Sequence, residues 1–183
     1  MEKKCLNQFN NFKKNSMKTI QMTFFVALFI ICAACNKKED NLASNAKNEL
    51  SFKIDGVEWK AEREIIGMFH PDPENYNKVI IIGGSKGPND GTEQDFTLNI
   101  FNTAAEGEYN FKDGNADLSV VQLSNLTAAN YLCGGTFQTY NMKVKITKIQ
   151  NNPTIMEAIF SGEIACVEGN TIKITDGKFN YYE

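Results

Sequence analysis

The sequence predicts an all-β domain: an antiparallel β-sandwich or partly open barrel of about 8–10 short strands, with little helix. Three observations predict it. Apolar residues recur with period two, most regularly where Met142, Val144 and Ile146 alternate with Lys143, Lys145 and Thr147. Turn residues interrupt the chain at intervals of roughly 8–12 residues. No segment sustains apolar residues at helical spacing.

The strands follow in order. Leu50, Phe52 and Ile54 alternate with polar residues, Asp55-Gly56 is a tight-turn dipeptide, and Val57 to Trp59 resumes the alternation; this is the clearest hairpin in the chain. Ile65 to Phe69 and Lys78 to Gly83 are apolar runs separated by a loop, His70 to Asn77, whose two prolines keep it out of any ladder. Val79 to Ile82 lacks polar alternation, the pattern of a strand buried on both faces. Ser85 to Thr92 reads as a polar loop. Phe96, Leu98 and Ile100 share one face, and Glu108 to Phe111 and Leu118 to Leu123 are further short strands. Ser124 to Asn130 has no clear period, and a single helical turn fits there. After Met142 to Ile146, Asn151-Asn152-Pro153 turns the chain. Met156, Ala158, Phe160, Gly162, Ile164 and Cys166 then share a face. Glu168 to Asn170 turns again, Ile172 and Ile174 face the core, and Asp176-Gly177 marks a bend or bulge before Phe179 and Tyr181.

The N-terminal third carries a different signal. Lys18 precedes the apolar run Met22 to Ile31, which ends on small residues and Cys35, the order of a secretory leader. Met22 to Ala34 is 13 residues, whereas a membrane-spanning helix needs about 20. Cys32-Ala33-Ala34-Cys35 resembles the lipobox of bacterial lipoproteins, with Cys32 departing from the usual branched aliphatic residue. The resemblance implies that the Cys35 thiol is lipidated and that the chain is cut before it. Ordinary leader cleavage, leaving Cys35 as a free thiol, is the alternative. One acyl chain holds a protein weakly, so the multiple chains of a lipoprotein are what make attachment stable. The expected organisation is an upstream extension over 1–16, a leader over 17–34, a polar tether over 35–48 and one all-β domain over 49–183. Lys38, Glu39 and Asp40 resemble the export signal of Bacteroidetes surface lipoproteins, which implies an outer-membrane anchor facing the periplasm or the cell surface.

Leader removal changes the charge. Of 183 residues 149 remain, with 14 basic and 21 acidic side chains, a net charge of −7. The expectation is that no basic patch survives, that nucleic acid is not a partner and that the membrane is held by lipid rather than by charge. Cys133 and Cys166 remain as a pair in an oxidising compartment, either bridged or as two buried thiols.

Three stretches, Phe52 to Trp59, Gly107 to Phe111 and Ile174 to Phe179, together resemble a family of small Bacteroidetes lipoproteins. Val144 to Thr147 and Phe160 to Gly162 fit that family's paired strands as well. These motifs are turn and core patterns. The resemblance implies an all-β domain and carries no catalytic residue over to this chain.

Chemistry-bearing groups are sparse. His70 is the single histidine, so a Ser-His-Asp relay or a His-rich metal site would need that one residue. Gly83-Gly84 and Gly134-Gly135 follow strands without a helix behind them, which suits bulges or close backbone approach rather than a phosphate loop. Asp113, Asn115 and Asp117 space oxygen ligands like a calcium loop but lack its later glycine and glutamate; an Asp-rich turn is the plainer reading. No metal or cofactor is expected. Among the aromatic side chains, Trp59, Tyr76 and Tyr182 are the expected ligand contacts, Tyr182 because alternation sets it opposite Phe179 and Tyr181. The expected function is a non-catalytic, lipid-anchored envelope module binding a glycan, a peptide or a partner protein. The alternatives are a structural envelope lipoprotein without ligand, and a hydrolase whose carboxylates converge through the fold.

Overall fold

The hairpin signalled by Asp55-Gly56 sets the frame. β1 (Glu49–Ile54) and β2 (Val57–Lys60) pair antiparallel with Ile54 opposite Val57 and Phe52 opposite Trp59. Both turn residues have positive φ, 48° and 86°, as a two-residue hairpin of matching twist requires. The computed structural model describes residues 47–70, 78–103 and 105–183. Leader, lipobox, Cys35, most of the tether and Tyr76 lie outside the described residues.

Among the described residues eleven strands form two antiparallel sheets, a β-sandwich. The others are β3 (Arg63–His70), β4 (Val79–Lys86), β5 (Gln94–Phe101), β6 (Gly107–Lys112), β7 (Val120–Ser124), β8 (Leu132–Gly134), β9 (Tyr140–Gln150), β10 (Ile155–Ala165) and β11 (Thr171–Tyr182). The six-stranded sheet runs β2-β1-β11-β10-β9-β6 and the five-stranded sheet β3-β4-β5-β7-β8. The count exceeds 8–10 partly because β8 is three residues long and carries no period of its own.

The inner faces meet in one apolar core, and an aromatic group ties the sheets together. The Phe52 ring stacks on Trp59 at 4.5 Å and meets Phe96 of the opposite sheet at 4.7 Å; Phe96 stacks on Phe160 at 5.4 Å. Burying side chains of this size stabilises by about 1.5–3 kcal/mol each. Both edges of the sandwich are tied. At one, Glu62 N–H donates to the Ser85 carbonyl as the chain steps from β2 to β3. At the other, Cys133 and Cys166 form an isolated antiparallel bridge with a disulfide between them, Cα atoms 3.9 Å apart, and Val167 N–H donates to the Leu132 carbonyl.

Three local expectations need correction. Ser85 and Lys86 belong to β4 rather than a loop, and Ser85 is buried because its hydroxyl has carboxylate partners. Leu118 is no strand residue: it sits at φ 60° in a turn and is 72 % exposed. Ser124 ends β7 and residues 126–129 are bends, so no helical turn forms over 124–130.

Candidate functional site

The site is built by the outward residues of the six-stranded sheet. On β9, buried Met142, Val144 and Ile146 force Lys143 and Lys145 outward; on β10, Ala158 and Phe160 do the same for Ile159 and Ser161. Strand pairing then lines these residues up across the sheet. One row reads Glu108, Lys145, Ile159, Lys178, Ser51, Lys60, each opposite the next. A second row runs from Asn110 to Lys143 and Ser161.

Where the rows cross the bulge in β11, the sheet surface dips. Asp176 has φ 54°, and the register slips between Phe160 and Gly162. Gly177 has no side chain because the Phe160 ring and carbonyl occupy that space: a Cβ there would lie 2.5 Å from the Phe160 oxygen. On the outer side of this stretch lies a surface trough of about 670 Å³. Ile159, 52 % exposed, lies in it, and Lys143, Lys145, Lys178, Glu108 and Asp176 edge it.

The face is lysine-rich. Eight lysines and six carboxylates project from its strands, whereas the other described residues include four basic and eleven acidic side chains. The strands of the five-stranded sheet are balanced, Arg63 and Lys86 against Glu64 and Asp95, so the acidic surplus of the other described residues lies in turns and loops. Most ammonium groups of the lysine-rich face have exposed carboxylate partners. Lys145 pairs with Glu108 at 3.2 Å, Lys53 with Asp176 at 2.8 Å, and Glu49 is shared by Lys60 at 2.8 Å and Lys178 at 3.4 Å. The hydrogen bond from Lys60 holds the Glu49 carboxyl below the usual carboxylate range, and Lys60 and Lys53 are raised in turn by Glu49 and Asp176. Lys143 has no ion pair among the described residues. Exposed pairs of this kind contribute about 0–1 kcal/mol, so their partners exchange readily.

The expected ligand-contact aromatics fare differently. Trp59 is not a contact: it is 2 % exposed, stacked on Phe52, with its indole N–H donated to Gln94 at 2.8 Å. Its position opposite Phe52 across a two-residue turn puts it on the core side. Tyr182 does lie on the lysine-rich face, at its far end, but half-buried rather than open. Its hydroxyl donates to Glu157 at 2.7 Å, and Lys148 stands 5.9 Å from its ring centre. That hydrogen bond, then burial, raises the Tyr182 hydroxyl above its ordinary value.

Two other polar clusters are tied up in local hydrogen bonds. The Ser85 hydroxyl lies 2.6 Å from Asp95 and 3.2 Å from Glu64. His70 cannot serve it, because Ser85 pairs with Arg63 at the opposite end of β3, roughly 20 Å along the strand. The Asp113 to Asp117 segment is a self-bonded turn: Asn115 donates to the carbonyls of Lys112 and Ser119 and accepts from Ser119 N–H. Among the described residues no three His, Cys, Asp or Glu side chains gather as metal ligands. Gly83 and Gly84 permit close approach, since a Cβ on Gly84 would lie 2.8 Å from that of Ala61. No protein-family model, curated protein or solved structure matches this chain.

Proposed function

We propose that the protein is a lipid-anchored envelope module that binds its ligand, without catalysis, on the outer face of the six-stranded sheet. The observation that carries the reading is the trough in the middle of that face, where Ile159 stands exposed between Lys145 and Lys178. Ile159 gives the depression an apolar floor among charged and polar side chains, the mixed lining that ligand sites use. The surrounding groups are ammoniums, carboxylates, the Asn110 amide and the Ser161 and Thr175 hydroxyls. Such a set recognises by charge and hydrogen bonding.

The test is a glycan and peptide array probed with the full chain in non-ionic detergent, alongside Ser161→Trp, which fills the trough from an outward position. Ligands captured by the parent and lost by a normally folded Ser161→Trp support the reading; binding indifferent to that substitution overturns it. Anchoring is tested separately. Metabolic palmitate labelling is expected on the intact protein and absent from Cys35→Ala, and labelling that persists in the variant refutes the anchor.

A further inference from the structure

We infer that the ligand of this face is a linear acidic polysaccharide bearing a carboxylate on alternate sugars and lying across the strands; this rests on the reading of the six-stranded sheet as the binding face. Neighbouring strands are about 4.8 Å apart, so the Cα positions of Lys145 on β9, Lys178 on β11 and Lys60 on β2 follow one another at about 9.5 Å along a single row; without ligand, Lys60 and Lys178 lean together on Glu49 and Lys145 on Glu108, and a ligand carboxylate takes those partners' places. The positions between them, Ile159 and Ser51, are uncharged. A pyranose in an extended chain advances by about one strand spacing. A carboxylate on every second sugar therefore meets an ammonium at every second strand, while the intervening ring lies over Ile159 methyls or the Ser51 hydroxyl.

The charge has the right sign. Three lysines of the row face two carboxylates, Glu108 and the Glu49 that Lys60 and Lys178 share, so the row keeps a positive surplus, and Lys143 in the adjoining row has no ion pair among the described residues. The ion pairs are exposed and yield their partners to a ligand carboxylate at little cost. Other polyanions match less well. Side chains on one face of an extended peptide recur at about 6.8 Å. Single-stranded nucleic acid is held by aromatic stacking, and the trough offers Ile159.

The experiment uses the full chain in non-ionic detergent and four probes: hyaluronan octasaccharide, whose carboxylates alternate, its methyl ester, oligo(dT) and poly-glutamate. Hyaluronan is expected to bind, with the ester at least tenfold weaker and affinity falling as salt rises. Lys145→Gln and Lys178→Gln should each weaken binding about two- to fivefold and the double variant about tenfold, while Lys86→Gln on the other sheet has no effect. Failure of hyaluronan to bind, or equal binding of the ester, overturns the acidic ligand; if the ester is then displaced by Ser161→Trp, the binding face survives and only its ligand class is wrong. Equal binding of oligo(dT) or poly-glutamate overturns the polysaccharide. Hyaluronan binding untouched by all of these substitutions overturns the ligand row and the face together.

Discussion

Removing the Cys133–Cys166 bridge is the perturbation whose size follows most directly from the fold. The two residues are 33 apart in sequence, and in the chain-entropy account a cross-link of that span restricts the unfolded chain by about 3.7 kcal/mol. The folded state has little to replace it. β8 has three residues and pairs with β7 at three positions, and its other side is held by the bridge and by Val167 N–H on the Leu132 carbonyl. Both cysteines are fully buried, so substitution by alanine leaves small apolar groups where the sulfurs were. For a domain of this size each kcal/mol moves Tm by about 3–4 °C, so the double variant Cys133→Ala/Cys166→Ala is expected to melt about 10–15 °C below the parent. Thermal unfolding is to be followed by circular dichroism with and without reductant, with free thiols counted after each scan. Reductant should bring the parent down to the variant and leave the variant unmoved, which separates this bridge from any effect on other cysteines. A shift below about 3 °C with both thiols demonstrably free would refute the reasoning, because the span would then not be a restraint on the unfolded chain.

Further outcomes follow from individual contacts. Gly177→Ala sets a Cβ against the Phe160 ring and carbonyl; overpacking of this kind costs about 1–3 kcal/mol, read as a lower denaturation midpoint in urea at unchanged slope. Trp59→Ala should cost about 3–5 kcal/mol, and in the parent the single Trp should emit as a buried indole whose spectrum no ligand of the lysine-rich face perturbs. Burial raises the Tyr140 hydroxyl, which donates to the Ser119 carbonyl at 2.9 Å. A raised folded value stabilises below the ordinary tyrosine pKa and is lost as pH climbs through the folded one, so stability should fall above about pH 10 and Tyr140→Phe should flatten part of that fall. Glu49 works in the opposite sense: its lowered carboxyl stabilises above the ordinary carboxylate range and ceases to as pH drops through the folded value. Lys60→Gln should reduce that acid-side loss, measured as Tm against pH.

What the sequence reveals here divides by distance along the chain. The β1–β2 hairpin, the β9 alternation and the Asp176 bulge are local, set by two-residue periods and by turn residues that accept positive φ, and each is legible from a dozen residues. Trp59 was legible by the same logic, since a two-residue turn fixes Phe52 and Trp59 as opposite partners on one face and Phe52 is plainly inward. Treating the Trp as a ligand contact ignored that register. β8 escapes because three residues cannot display a period, and it is a strand only through β7 and Cys166. The trough and its lysine row escape for a deeper reason. Alternation says that Lys143, Lys145 and Lys178 each point to water, but not that β1 pairs with β11 across nearly the whole domain, nor that β6 lies beside β9. A row across a sheet is a property of strand order, which loop closure and packing decide. Net charge is blind to it as well: the full chain is −3, yet the strands of the six-stranded sheet carry eight lysines against six carboxylates, because most of the other acids lie in turns and loops. Reading partners from total charge therefore fails wherever strand order sorts charges into separate parts of the surface.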